Sequence, residues 1–207
     1  MEASSDTYFS VAGFSRATFR DRASRFIGLV YPVSSETDVK RCLDAIKKDF
    51  HDANHHCFAF ALGKDNQKYR FSDDGEPSGS AGKIIYGQIL SKGISDVLVV
   101  VVRYFGGTKL GVAGLINAYR ITAREALDAG TLVEKIITDR FLIRFAYDQM
   151  NQVMRILKQH LAGLITQSFE DECIIVFEIR KGYTKAVMNK LREHINVYEL
   201  IDETRTT

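Results

Sequence analysis

The stretch "RFSDDGEPSGSAGK", from Arg70 to Lys83, packs three carboxylates and three glycines into fourteen residues, with serines between them. Several chemistries use such residues, and each makes demands on the neighbours. A phosphate-cradling P-loop needs a glycine at position 77 and a hydroxyl at 84, where this chain has Pro77 and Ile84. A calcium loop starting at Asp73 needs a glutamate at 84, which fails for the same reason. A nucleophile elbow around Ser78 needs glycine at 76, which is Glu76. "HDANHHC", from His51 to Cys57, has the spacing of a zinc-protease motif, with Asp52 in place of the general-base glutamate. It sits where a helix gives way to a strand, so His51 and His55 lack the continuous helical turn that would aim both at one metal. Cys57 follows His56, but adjacent strand positions point to opposite faces, which argues against a thiol–imidazole pair. The expectation is no metal, no cofactor and no catalytic set.

"RYFGGTKLGVAG", from Arg103 to Gly114, makes a different offer. It links a buried strand to a helix, and a helix start presents free N–H groups to an anion. Arg103 and Lys109 add positive charge, while Tyr104 and Phe105 offer stacking faces. A tight strand-to-helix turn would need the same glycines. From Lys83 to Arg124 there are six basic residues against the single acid Asp96, and Lys181, Lys185, Lys190 and Arg192 form a second group without an acid. These are either solvated faces or a footprint for an anionic partner.

The elements that hold these stretches follow from apolar periodicity. "SRFIGLVYPV" reads as a strand, and "SSETDVKRCLDAIKKDF" as a serine-capped helix with Val39, Leu43, Ile46 and Phe50 on one stripe. "CFAFALG" and "QKYRFS" form a hairpin, "AGKIIYGQILSKG" a helix, "DVLVVVVRYF" a buried strand and "GLINAYRITAREALDAG" a helix packing through Leu115, Ala118, Ala126 and Leu127. From Asp139 the pattern restarts. Strand 139–148 (Phe141, Ile143, Phe145 and Tyr147 on one face), a helix, two strands joined by an acidic turn at 170–172, a helix and a last strand give βαββαβ, the split βαβ unit of ferredoxin-like folds. The division falls between 1–133 and 134–207.

The three cysteines are odd in number and far apart, so free thiols in a reducing compartment are expected. The N-terminus carries Glu2 and Asp6 without an apolar run, and the longest aliphatic run, Val97 to Val102, is too short to span a bilayer. A cytoplasmic protein is expected.

Three stretches in order, "DANHHCFAF", "RFSDDGEPSGSAG" and "VVVVRYFGGTKLGVAGLINAYR", resemble the IMPACT/YigZ family over roughly Arg25 to Gly130. The resemblance implies an α/β, two-layer N-terminal domain like domain IV of elongation factor G, followed by a ferredoxin-like domain like its domain V. The two-domain length is similar to the bacterial branch, so the preceding domain by which eukaryotic relatives engage the general-control activator is not expected. The motif residues it carries over are His55, His56, Asp73, Asp74, Gly75, Glu76, Pro77, Gly79, Ser80, Ala81 and Gly82, with Arg103, Tyr104, Gly106, Gly107, Lys109, Leu110 and Gly111. The family pattern has glycine at 113 and arginine at 117, where this chain has Ala113 and Asn117, one charge fewer on any anion-binding face. The implied role is translation-linked regulation, with RNA or the ribosome as partner and a protein partner as the other option.

The sequence therefore leads to a binding protein that contacts RNA or a ribosomal component through Arg103, Tyr104, Gly106, Gly107, Lys109, Gly111 and Arg120. The alternative is an enzyme of small-molecule or phosphoester chemistry working through Asp73, Asp74 and Glu76. If the strands before the two glycine-rich loops are neighbours, Asp73 or Glu76 can pair with Arg103 or Lys109, and the acidic stretch becomes scaffold. The oligomeric state is not fixed by the sequence.

Overall fold

The computed structural model describes residues 6–169 and 172–206, with Asp65 and residues 202–206 as backbone only. Of the acidic turn expected at 170–172, positions 170 and 171 lie outside the described residues. The chain divides into two compact units, Phe9–Val133 and a second one from Glu134 onward that also takes in residues 6–8. A linear division at 133 gives those first residues to the other unit.

The first strand is β1 (Thr7–Val11), followed by β2 (Ser15–Asp21), β3 (Ser24–Pro32), α1 (Glu36–Asp49), β4 (His55–Leu62), β5 (Lys68–Ser72), α2 (Gly82–Lys92), β6 (Val97–Tyr104) and α3 (Gly111–Asp128). Strands β1 and β2 are additions to the elements expected from periodicity. Five strands form one antiparallel sheet in the order β2-β3-β6-β4-β5. The β-branched run in β6 is central and buried throughout, because helices cover both faces. On one face Ile85 and Ile89 of α2 and Leu115, Ala118, Tyr119 and Ala123 of α3 pack on Phe26, Cys57, Val99 and Val101. On the other, Val39 and Ile46 of α1 pack on Ile27, Leu29, Phe60, Val100 and Val102. Each large apolar side chain so buried contributes about 1.5–3 kcal/mol. The α/β expectation holds, but the expected two layers become three, since α1 covers the second face.

Ser35 caps α1 by accepting from the Asp38 N–H at 3.1 Å, and the Asp38 carboxylate bonds back to Ser34 and Ser35. Those bonds, from Ser34 first, hold the Asp38 carboxyl below its ordinary value. Gly93, at φ 62°, closes α2.

The second unit contains β7 (Leu132–Phe145) from Glu134 onward, α4 (Met150–Gln159), β8 (Gly163–Phe169), β9 (Cys173–Arg180), α5 (Lys181–Leu191) and β10 (Val197–Thr206). Its antiparallel order β10-β7-β9-β8 is the ferredoxin-like arrangement of a βαββαβ chain. Buried and half-buried residues alternate along the whole of β9, and α4 and α5 cover the buried face through Val153, Leu157, Val187 and Leu191. β7 begins seven residues before Asp139, because its start also pairs with the chain's first strand: the Ile137 N–H donates to the Asp6 carbonyl at 2.8 Å. Tyr147 does not share the inward stripe of β7; it lies in the turn after the strand, 74% exposed. Among the described residues no helix is long and apolar enough to cross a membrane.

Candidate functional site

β5 and β6 are not neighbours. β4 lies between them, antiparallel to both, so β5 and β6 run in the same direction and end at the same edge of the sheet. The acidic loop that follows β5 and the glycine-rich loop that follows β6 therefore flank the first residues of β4, His55 and His56. Both loops lead into helices on the same face, α2 and α3. Topology, not adjacency, brings the two motifs together.

Within the acidic loop each carboxylate has its own task. Asp73 accepts the N–H groups of Gly79 (2.8 Å), Ala81 (3.0 Å) and Gly82 (2.7 Å), which caps the start of α2. Gly82 lies so close to Ser72 that a Cβ there would sit 2.6 Å from its carbonyl oxygen. The Asp74 carboxylate accepts the His56 N–H at 2.6 Å, and the His55 ring Nδ1 lies 2.8 Å from the Asp74 carbonyl. Gly75 follows in left-handed backbone beside the His55 ring. Ser80 is buried, and its hydroxyl donates to the Pro77 carbonyl at 2.6 Å.

Glu76 turns inward. It accepts Arg103 Nη1 at 2.6 Å and the Tyr119 hydroxyl at 2.8 Å. Arg103 is only 5% exposed, stands over the Phe26 and Phe105 rings, and leaves its Nε buried without a partner. The Cys57 thiol lies 2.9 Å from the Asp73 carbonyl and 3.2 Å from the Tyr119 hydroxyl, with one proton to place between them. Burial, before any other cause, pushes both the thiol and the tyrosine hydroxyl well above their ordinary values. Cys57 is thus a buried donor in a packed network, far from the thiolate a nucleophile needs. His56 points to the other face, its Nε2 3.0 Å from the Phe50 carbonyl.

The glycine-rich loop is held from the other side. Gly106 lies against the β2–β3 turn, where a Cβ would stand 2.1 Å from the Ala23 carbonyl carbon. Only glycine permits that approach. Asn54 brackets the loop, donating its N–H to the Arg103 carbonyl and accepting the Phe105 N–H at 2.7 Å. Tyr104 lies under the Arg25 guanidinium, 4.5 Å from ring centre to carbon, and its hydroxyl donates to Asp52. Gly107 and Gly111 take left-handed backbone. Gly111 is the first residue of α3, which starts three residues before the helix read from sequence.

Between the loops lies a cleft of about 450 Å³ lined by His55, Glu76, Arg103, Phe105, Lys109 and the start of α3. The site residues are therefore divided. Arg103 is internal and paired with Glu76, one of the pairings the sequence offered. Lys109 is exposed on the cleft wall. Arg120 is exposed on α3, roughly 13 Å along the helix from Gly111 and outside the cleft lining. Ala113 and Asn117 are exposed on the first turns of α3. The basic run from Lys83 to Arg124 is broken up by folding, since Lys92 pairs with Asp128 while Lys83, Lys109, Arg120 and Arg124 face solvent. Among the described residues no three His, Cys, Asp or Glu side chains gather as a metal shell.

Sequence reasoning passed over Tyr119, Asn54, Arg22 and Arg25. Tyr119 carried a readable signal: it falls on the buried stripe of α3, and a buried tyrosine hydroxyl requires a partner. Arg22 and Arg25 gave none, because their place depends on the β2–β3 turn meeting Gly106.

A model of the Impact N-terminal domain matches residues 22–127. The Escherichia coli protein described as IMPACT family member YigZ is 32% identical over 151 residues, 72% of this chain and 74% of that protein. A Saccharomyces cerevisiae protein described as Protein IMPACT homolog is 32% identical over 110 residues, 52% of this chain and 42% of that one. A crystal structure described as that of a hypothetical protein aligns over 96% of this chain and 99% of its own, with a TM-score of 0.74 and 27% identity.

Proposed function

This chain belongs to the IMPACT family, and on that premise we propose that it is a cytoplasmic, translation-linked regulatory protein that binds RNA through the sheet end where the two loops meet. The translation link is the role that the family resemblance implies. The observation that carries the RNA reading is the seat of Gly106 on the β2–β3 turn. That contact brings the turn carrying Arg22 and Arg25, with Arg25 over the Tyr104 ring, against the loop that carries the half-exposed Phe105 and Lys109. Cations interleaved with an exposed ring suit a phosphate backbone with unstacked bases. The carboxylates of the acidic loop position backbone and Arg103, which favours binding over catalysis.

Filter binding of short single-stranded RNAs across a salt series tests this. Affinity should fall steeply with salt. Lys109→Ala or Arg22→Ala should each flatten the log–log slope by about 0.7–1, the share of one neutralised phosphate. Undetectable binding of the wild type at low salt would overturn the RNA reading in favour of a protein partner.

A further inference from the structure

We propose that the cleft between the two loops is a site for a phosphate group joined to a flat aromatic ring. That chemistry is shared by a free mononucleotide and by the 5′ end of a single-stranded RNA. The cleft shares Lys109 and Phe105 with the RNA surface of the proposed function but does not depend on that surface's cations Arg22 and Arg25. Its size fits: about 450 Å³ falls within the range of ordinary small-molecule sites.

One wall is built for an anion. α3 starts there with Gly111 and Val112, its N-cap is Leu110, and neither a capping side chain nor a first-turn acid serves its leading N–H groups. A helix of eighteen residues brings its full positive end to that wall. Lys109 stands immediately before it, exposed. Arg103, nine-tenths buried, forms part of the same lining, and its Nε has no partner. That Nε is closed off from solvent, so Arg103 acts on an anion in the cleft through its charge and not through a direct bond from Nε. The carboxylate in the lining, Glu76, is already opposed by Arg103 and bonded by Tyr119, so the positive charge of Lys109 remains in excess. His55 completes the polar side, its Nε2 3.9 Å from Glu76.

The opposite lining is apolar and partly open to water. Phe105 is 45% exposed and Val112 53%, with Leu110 and Leu115 behind them. An aromatic face and two aliphatic side chains next to an anion wall suit a ring carried on a phosphate, and suit a bare inorganic anion poorly.

Titration calorimetry of the full chain with adenosine 5′-monophosphate, adenosine and inorganic phosphate tests the proposal. The monophosphate should bind and adenosine should not. Lys109→Ala should weaken the monophosphate about tenfold, the worth of one charge-assisted contact. Phe105→Ala should weaken the monophosphate while leaving inorganic phosphate unchanged. Both residues are exposed, so neither variant threatens the fold. A 5′-phosphorylated RNA that competes more strongly than its 5′-hydroxyl form would confirm the phosphate and assign it to an RNA end; equal competition by the two forms would assign it to a free nucleotide. The proposal falls if the monophosphate does not bind, if adenosine binds equally well, or if both variants bind like the wild type. RNA binding in the salt series without monophosphate binding overturns this site alone. Monophosphate binding without it overturns the RNA surface alone.

Discussion

Glu76 and Arg103 form an ion pair at 2.6 Å, with side-chain exposures of 3% and 7%, joining the acidic loop after β5 to the end of β6. The pair spans β4, and Tyr119 of α3 adds a third element by donating to the same Glu76 oxygen. A buried pair of this kind is weak evidence for net stability but is costly to halve. Arg103→Ala should lower unfolding stability by about 3–5 kcal/mol, since it leaves a buried carboxylate hydrogen-bonded by the tyrosine hydroxyl with His55 Nε2 at 3.9 Å. Joint Glu76→Gln and Arg103→Met replacement should cost clearly less than the sum of the single changes. Urea denaturation of wild type, the two single variants and the double variant measures this, and additive losses would show that the two charges do not depend on each other.

The capping role of Asp73 makes a second prediction. Its carboxylate takes the Ala81 and Gly82 N–H groups at the start of α2 and the Gly79 N–H in the loop before it. Asp73→Ala should therefore destabilise the N-terminal unit by roughly 1–2 kcal/mol, the upper range for a lost cap. Asp74→Ala removes one bond, to the His56 N–H, and should cost less. Equal losses in the two variants would argue that loop geometry, and not capping, governs the segment.

The contrast between these carboxylates explains what could be read from the chain. Helices, the buried β6 run and the βαββαβ order were legible because each follows from a local period of apolar residues. The pairing of Glu76 with Arg103 could be anticipated as one of several options, since charge and loop position were visible. Its route was not: it depends on β4 lying between β5 and β6, and strand order is a long-range property. The burial of Arg103 was hidden for a similar reason. A cation at a strand end reads as surface until the helix start beside it closes over. β1 and β2 escaped notice because "TYFSV" and "SRATFRD" are short and half polar; β1 becomes a strand by pairing with β7, far along the chain, and β2 by its hairpin with β3.

Gly106 should tolerate no side chain. A Cβ would stand 2.1 Å from Ala23 backbone and must push the loop off the β2–β3 turn. Gly106→Ala should thus weaken both stability and RNA binding. Gly107, at φ 85°, has open space around its position, so Gly107→Ala should cost only the backbone strain, about 1 kcal/mol. Thermal melts with the RNA salt series in parallel compare them. Unchanged RNA affinity in a folded Gly106→Ala protein would separate the turn from the binding surface.

The last prediction concerns acid. In the second unit Asp6 accepts Arg180 Nε and Nη2, each at 2.7 Å, and the Gly182 N–H at 3.1 Å. The Arg180 hydrogen bonds, ahead of the opposing effect of burial, hold the Asp6 carboxyl below its ordinary value of 3.8. Its folded value is therefore lower than its unfolded one. The stabilisation this gives is present in full above the unfolded value and is lost as pH falls through the folded one. Wild type should accordingly be more stable than Asp6→Asn near neutrality, and the two should converge as the medium is acidified below 3.8. The Arg180 side chain is 41% exposed, so added salt should narrow the gap as well. Far-ultraviolet melts of both proteins across that pH range, at low and high salt, provide the check. A gap that stays constant into acid would mean that Asp6 acts through shape and not through its charge.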